Sequence, residues 1–232
     1  MRAPKALFFD VFGTCVDWRT SVIRAVESFG LPARFADDWR ARYQPQLETV
    51  RTGERPWTVL DVLHREALDE LLAEYGAPLT EVQRAELNLA WHRLDPWPDT
   101  VEGLMRLKER FVIAPVSNGN IALIVDMAKY AGLPWDVVLG AELARAYKPQ
   151  PEVYLRSAEA LGIAPGEAMM VAAHNGDLEA ASRLGLMTAF VPRPAEHGPG
   201  QTTDLEPDGD WDVVAADLVA LAATAPFGAE TC

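Results

Sequence analysis

The run Ala6-Leu7-Phe8-Phe9-Asp10-Val11-Phe12-Gly13-Thr14 constrains this chain more than any other stretch. Four apolar residues lead straight into an aspartate, and a glycine and a threonine follow. The pattern is that of a buried strand ending in an exposed carboxylate. At the C-terminal tip of a parallel strand, a carboxylate stands where open α/β sheets build their active sites. Asp10 is therefore a candidate nucleophile, since carboxylates form covalent intermediates that split one hard step into two.

The rest of the chain supplies a sheet around that strand. Strand-like runs at 6–10, 112–116, 137–139, 168–173 and 187–191, with a weaker one at 212–215, alternate with helical patterns at 100–110, 120–131, 151–161, 177–184 and 216–223. This alternation implies a parallel sheet. Between the first two runs lie about a hundred residues that read as helices, at 20–29, 35–50, 58–75 and 80–94. The last of these opens on Thr80 and Gln83 in capping-box spacing. The chain thus divides into a core of 1–16 and 97–232 and a helical insertion of 17–96, hinged near 17–19 and 94–98. An insertion placed there overhangs Asp10 and excludes water. The stretch 192–210, rich in Pro, Gly and acidic residues, reads as a long surface loop.

Composition excludes several classes of function. A net charge of −13 on 232 residues leaves no basic stripe for nucleic acid. It also repels small anions, so an anionic substrate needs a local cationic pocket. No run approaches the roughly 18–20 apolar residues of a membrane span. The chain enters its first strand too soon for a signal peptide, which makes the cytoplasm the expected location. Cys15 and Cys232 form neither a disulfide framework nor a metal-ligand spacing, and Cys15 reads as a buried, inert thiol.

Three further blocks follow Asp10 in order. Ser117-Asn118-Gly119 ends the second strand-like run, where its hydroxyl and amide suit a carboxylate or oxyanion, or merely cap the next helix. Tyr147-Lys148-Pro149-Gln150-Pro151 holds one of only four lysines. The block Val171-Ala172-Ala173-His174-Asn175-Gly176-Asp177 ends a third strand in a polar turn and a second aspartate.

These four blocks resemble the motifs of the haloacid dehalogenase superfamily. Phosphatases of that superfamily carry a second aspartate two residues after the nucleophile, as general acid/base. Phe12 stands there instead, similar to the aromatic of the 2-haloacid dehalogenase branch. The resemblance implies a Rossmann-like, doubly wound parallel sheet with an inserted helical cap. It also implies hydrolysis of short 2-haloalkanoic acids to 2-hydroxy acids through an aspartyl ester. Asp10 would attack, with Thr14 in the same catalytic set and Lys148 holding Asp10 ionised. Asp177 would either activate the lytic water or hold Lys148, and His174 is the other candidate base. Better-known relatives carry serine and asparagine in the fourth block, with tryptophan before the aspartate, where this chain has Ala172, Ala173, His174 and Gly176.

Within the insertion, Arg40 matches the family's halide-accepting arginine, with Arg34 and Arg42 as nearby alternatives. Arg40, Asn118 and Phe12 would line the halide side, while Ser117 and the backbone N–H groups of Val11 and Phe12 would bind the substrate carboxylate. Trp39, Trp57 and Trp91 either line the pocket or belong to the core. The resemblance implies no metal, no cofactor, no nucleic-acid or membrane partner, and a homodimer without an identifiable interface. A magnesium-dependent phosphatase and a non-catalytic binding module on the same scaffold are the rival expectations.

Overall fold

The computed structural model describes residues 3–224, so Cys232 lies outside the described residues. Its strands are β1 (Ala6–Phe9), β2 (Val16–Asp17), β3 (Asp95–Pro96), β4 (Val112–Ser117), β5 (Leu139–Gly140), β6 (Ala168–Ala172), β7 (Met187–Phe190) and β8 (Val213–Val214). Six of them form one parallel sheet in the order β5-β4-β1-β6-β7-β8. Strand β1 lies between β4 and β6, and the chain builds outward from it in both directions. The crevice outside the C-terminal ends of these three strands is where such a sheet binds ligands.

Both faces of the sheet are covered, because successive side chains of a strand point to opposite sides. Leu7 and Phe9 pack with Leu104 and Leu107 of α6 (Thr100–Lys108), Met127 of α7 (Ile121–Ala131) and Leu221 of α11 (Leu218–Ala223). Ala6 and Phe8 pack on the other face with Val153 and Tyr154 of α9 (Pro151–Ala160) and Leu178 and Ala181 of α10 (Asn175–Arg183). The short α8 (Ala141–Ala144) follows β5 directly and has no counterpart among the helices expected above. The architecture is the doubly wound α/β sheet expected of the sequence.

The inserted helices are α1 (Trp18–Ser28), α2 (Arg34–Ala41), α3 (Tyr43–Arg51), α4 (Leu60–Glu74) and α5 (Glu81–Asn88). The single helix expected over 35–50 is two helices broken at Arg42. Pro45 lacks the N–H that a continuous helix would bond to the Ala41 carbonyl, and it is tolerated only in a first turn. The apolar spacing runs across the break, since Phe35, Trp39, Tyr43 and Leu47 are all buried. Thr80 and Gln83 do form the capping box of α5.

Strands β2 and β3 pair antiparallel, Val16 opposite Pro96 and Asp17 opposite Asp95, so the chain leaves the sheet and returns to it at one point. Among the described residues no helix is long and apolar enough to cross a membrane.

Candidate active site

The loop that follows β1 is held from all sides. Gly13 takes φ +87°, a left-handed conformation that glycine adopts without strain. The Gly13 carbonyl accepts the Trp97 indole N–H at 2.8 Å, and that of Thr14 accepts Arg193 Nε at 2.9 Å. The Cys15 carbonyl accepts the Thr100 hydroxyl at 2.8 Å. Arg193 is fixed in turn by a two-pronged pair with Asp99 at 2.7 and 2.8 Å. Cys15 is buried, its thiol turned to the Asp10 carbonyl at 3.3 Å, and burial pushes its pKa well up, leaving it inert.

Asp10 is buried at the tip of β1. Lys148 Nζ donates to its Oδ1 at 2.8 Å. The Thr14 hydroxyl donates to Oδ2 at 2.8 Å and itself accepts the Ala173 N–H at 2.9 Å. His174 Nδ1 lies 3.0 Å from the same Oδ2. Burial alone would raise the Asp10 pKa, but Lys148 and His174 outweigh it and hold the carboxyl well below the usual range. Lys148 also bonds Asp177, the first-turn aspartate of α10, whose Oδ1 accepts the Tyr154 hydroxyl at 2.5 Å. Burial pulls the Lys148 ammonium down, and the two aspartates more than reverse it. Asp177 is pushed above the ordinary value by burial and by the Asp10 charge, against the pull of Lys148.

His174 lies between two carboxylates. Its Nε2 meets Glu196 Oε2 at 2.9 Å, across the ring from Asp10. Burial disfavours its charge, yet Asp10 and Glu196 together raise its pKa well above the ordinary value, and each ring nitrogen faces a carboxylate. Glu196 is 1% exposed. Nothing in the sequence marked it, because it falls in the 192–210 stretch read as a surface loop. The stretch is the surface loop expected, but Arg193 and Glu196 turn inward and are buried. Asn175 anchors its further end, with backbone and side-chain N–H groups both bonded to Asp204 Oδ1 and with its own Oδ1 accepting the Trp211 indole.

A cavity of about 680 Å³ opens over Asp10, lined on the sheet side by Phe12, Asn118, Lys148, His174 and Asp177. On the helical side Trp18, Arg40, Tyr43 and Arg51 line it. The Arg40 guanidinium lies 4.0 Å from the Tyr43 ring and 5.4 Å from that of Trp18, and its Nε is buried without a hydrogen-bond partner. Its neighbours in sequence turn elsewhere: Arg42 pairs with Glu74 at 2.7 Å, and Arg34 covers Tyr75.

Asn118 donates to the Tyr43 hydroxyl at 2.9 Å and accepts the Lys148 N–H at 2.8 Å, tying β4, the inserted helices and the lysine together. Ser117 and Val11 are fully buried behind this wall and do not line the cavity. The Ser117 hydroxyl accepts the Gly119 N–H at 3.1 Å, a turn contact ahead of α7, whose N-cap Asn120 makes no side-chain capping bond. Trp39 and Trp91 are core residues, Trp57 packs on Tyr147 at 4.8 Å, and the tryptophan in the cavity wall is Trp18.

The profile of the haloacid dehalogenase-like hydrolases matches residues 4–185. The (S)-2-haloacid dehalogenase 4A of Burkholderia cepacia is 30% identical over 193 residues, covering 82% of this chain and 83% of that protein. The (S)-2-haloacid dehalogenase of Xanthobacter autotrophicus is 30% identical over 82% of this chain and 75% of its own length. A crystal structure of a defluorinating L-2-haloacid dehalogenase superposes with a TM-score of 0.93 at 50% identity, covering 96% of this chain and 98% of that one. With a match running from before β1 to beyond the end of α10, the chain belongs to the haloacid dehalogenase-like hydrolase family.

Proposed function

We propose that this protein hydrolyses the carbon–halogen bond of short 2-haloalkanoic acids, yielding 2-hydroxy acids and halide. The observation that carries the reading is the pairing of an ionised, buried Asp10 with an Arg40 guanidinium whose buried Nε has no hydrogen-bond partner among the described residues, facing each other across one cavity. Phe12 stands where a phosphoryl-transfer enzyme of this family needs a proton donor. The names of the curated relatives and of the 50%-identical structure agree with this chemistry.

Oδ1 of Asp10 has one donor and Oδ2 has two, so Oδ1 is the freer nucleophile. It attacks carbon 2 opposite the halogen, inverting that centre, and the halide departs with the bonding pair toward Arg40, Asn118 and Phe12. The backbone N–H of Phe12, which lines the cavity, receives the substrate carboxylate. Water then attacks the carbonyl carbon of the ester, and its proton passes to Asp177. His174, with both ring nitrogens turned to carboxylates, offers no lone pair for that proton. Cleavage of the acyl C–O bond returns Asp10 and releases the hydroxy acid. In this reading 17–96 is the cap over a core formed by the rest of the chain, and the enzyme works in the cytoplasm, as a homodimer if sedimentation finds one.

The test is halide release from chloroacetate and 2-chloropropionate, with and without EDTA. Full turnover in EDTA is expected, because arginine and amide donors neutralise what Mg²⁺ neutralises in phosphoryl transfer. Phosphatase activity that EDTA abolishes and Mg²⁺ restores, without halide release, overturns the reading.

A further inference from the structure

Glu196 is held more tightly than a loop carboxylate needs to be. One oxygen accepts the Trp18 indole N–H at 3.1 Å and the other meets His174 at 2.9 Å. A Cβ added to Gly13 would stand 2.1 Å from its Oε1, so the nucleophile loop accommodates this carboxylate only with glycine at position 13. The loop bearing it is docked by Arg193, which bonds Asp99 and the carbonyl of Thr14. A buried carboxylate is costly unless it is paired, and the pairing here is with a ring that touches the nucleophile.

We propose that Glu196 is a positioning residue that keeps His174 doubly protonated after Asp10 has been alkylated, so that His174 and Thr14 form the oxyanion site for hydrolysis of the aspartyl ester. This rests on the dehalogenase reading above. In the free enzyme two carboxylates favour the charged ring. Once Oδ1 carries the substrate carbon, Asp10 is neutral and only Glu196 remains in contact with the ring. Oδ2 is by then the ester carbonyl oxygen, still facing the Thr14 hydroxyl and His174 Nδ1. Water attack on the carbonyl carbon moves the C=O electron pair onto Oδ2, where two prealigned donors stabilise it. A neutral ring keeping its proton on Nε2, toward Glu196, would instead turn a lone pair on that oxygen.

Other charged groups surround the ring. Lys148 and Asp177 flank Asp10, His197 lies 3.5 Å from Glu196, Arg40 comes from the helical side, and Asp204 binds Asn175, the residue after the ring. Lys148 and Arg40 oppose the ring's charge, which leaves Glu196 as the directly bonded carboxylate that sustains it through the second half-reaction.

The experiment compares wild type and Glu196→Gln on chloroacetate from about pH 6 to about pH 9, across the ordinary range of histidine titration, with intact-protein mass spectrometry of rapidly quenched samples. In the variant, kcat should fall roughly a hundredfold at the alkaline end, the size of effect seen when an oxyanion donor is lost. It should recover as the pH is lowered. KM should fall with it, leaving kcat/KM nearly unchanged, and the carboxymethyl ester of Asp10 should accumulate. A wild-type pH profile in the variant, or a loss of kcat/KM without accumulated ester, overturns the proposal. Should the variant fail to fold, the ¹⁵N shifts of His174 in wild type held as the Asp10 ester decide: imidazolium at about pH 8 supports it, and a neutral ring at that pH overturns it. Wild type that releases no halide overturns the proposed reaction and this inference with it, whereas wild-type turnover beside an unaltered variant overturns this inference alone.

Discussion

Arg40 rests on two aromatic faces and makes no direct ion pair with a described carboxylate, while Arg42 is spent on Glu70 and Glu74 at the surface. A departing halide gains negative charge in the transition state, so its receptor acts on kcat more than on KM. Loss of a charge-assisted hydrogen bond costs about 1.5–3 kcal/mol. Arg40→Ala should therefore lower kcat on chloroacetate by roughly ten- to a hundredfold, and Arg42→Ala should remain near wild type. Arg40→Lys should rescue poorly, because an ammonium reproduces neither the stacking nor the fork of a guanidinium. Steady-state kinetics of the three variants check this, and an essential Arg42 would contradict it. Asp10 and Asp177 were readable in the sequence because each follows the end of an apolar strand, and Lys148 because a scarce lysine stands in a short proline-flanked motif. Glu196 was not, since its role exists only once a loop folds back over Gly13, and no local pattern records that contact.

Among the elements, the insertion and the sheet are joined by titratable contacts that no motif announced. His92, in the 3-10 turn after α5, bonds Asp61 of α4 through Nε2 and Asp126 of α7 through Nδ1, each at 3.0 Å. Asn120 donates to the same Asp61 at 2.8 Å. Burial pulls the His92 pKa down, and the two carboxylates more than compensate, holding it above the ordinary value. A raised pKa means that this stabilisation is fully present below the unfolded value of about 6.5 and is lost as the pH rises through the folded value. His64, stacked on Trp91 at 4.4 Å, works in the other direction. Burial drives its pKa to about 3, so its contribution is lost as the pH falls from the unfolded value toward that figure.

The difference in urea midpoint between wild type and His92→Gln should therefore shrink as the pH is raised through the folded pKa of His92. A difference independent of pH would show that His92 contributes packing alone. The strands and outer helices were legible because apolar runs and glycine caps report them locally. The break at Arg42 was hidden because its burial pattern continues on the same face.

The insertion is bound to one face of the sheet by a single apolar cluster that includes Leu7 and Phe9 of the central strand and Trp39, Leu63, Leu68 and Trp91 of the insertion. Trp91 touches both Phe12 of the nucleophile loop and Trp18 at the exit from the sheet, with ring centroids 6.1 Å apart in each case. A shared core of this kind makes the insertion and the sheet unfold together. Calorimetry should give a single endotherm whose calorimetric and van't Hoff enthalpies agree, and two resolved endotherms would show that 17–96 melts by itself.

The docked loop that carries Glu196 also imposes an order in time. A chain emerges from the ribosome N-terminus first, so the nucleophile is made before its arginine, and the arginine before the lysine. The carboxylate that governs His174 comes only after all of them. A nascent chain long enough to contain every motif that defines its family still lacks Glu196, and the reactive carboxylate acquires its complete setting only after the last of those motifs has been made.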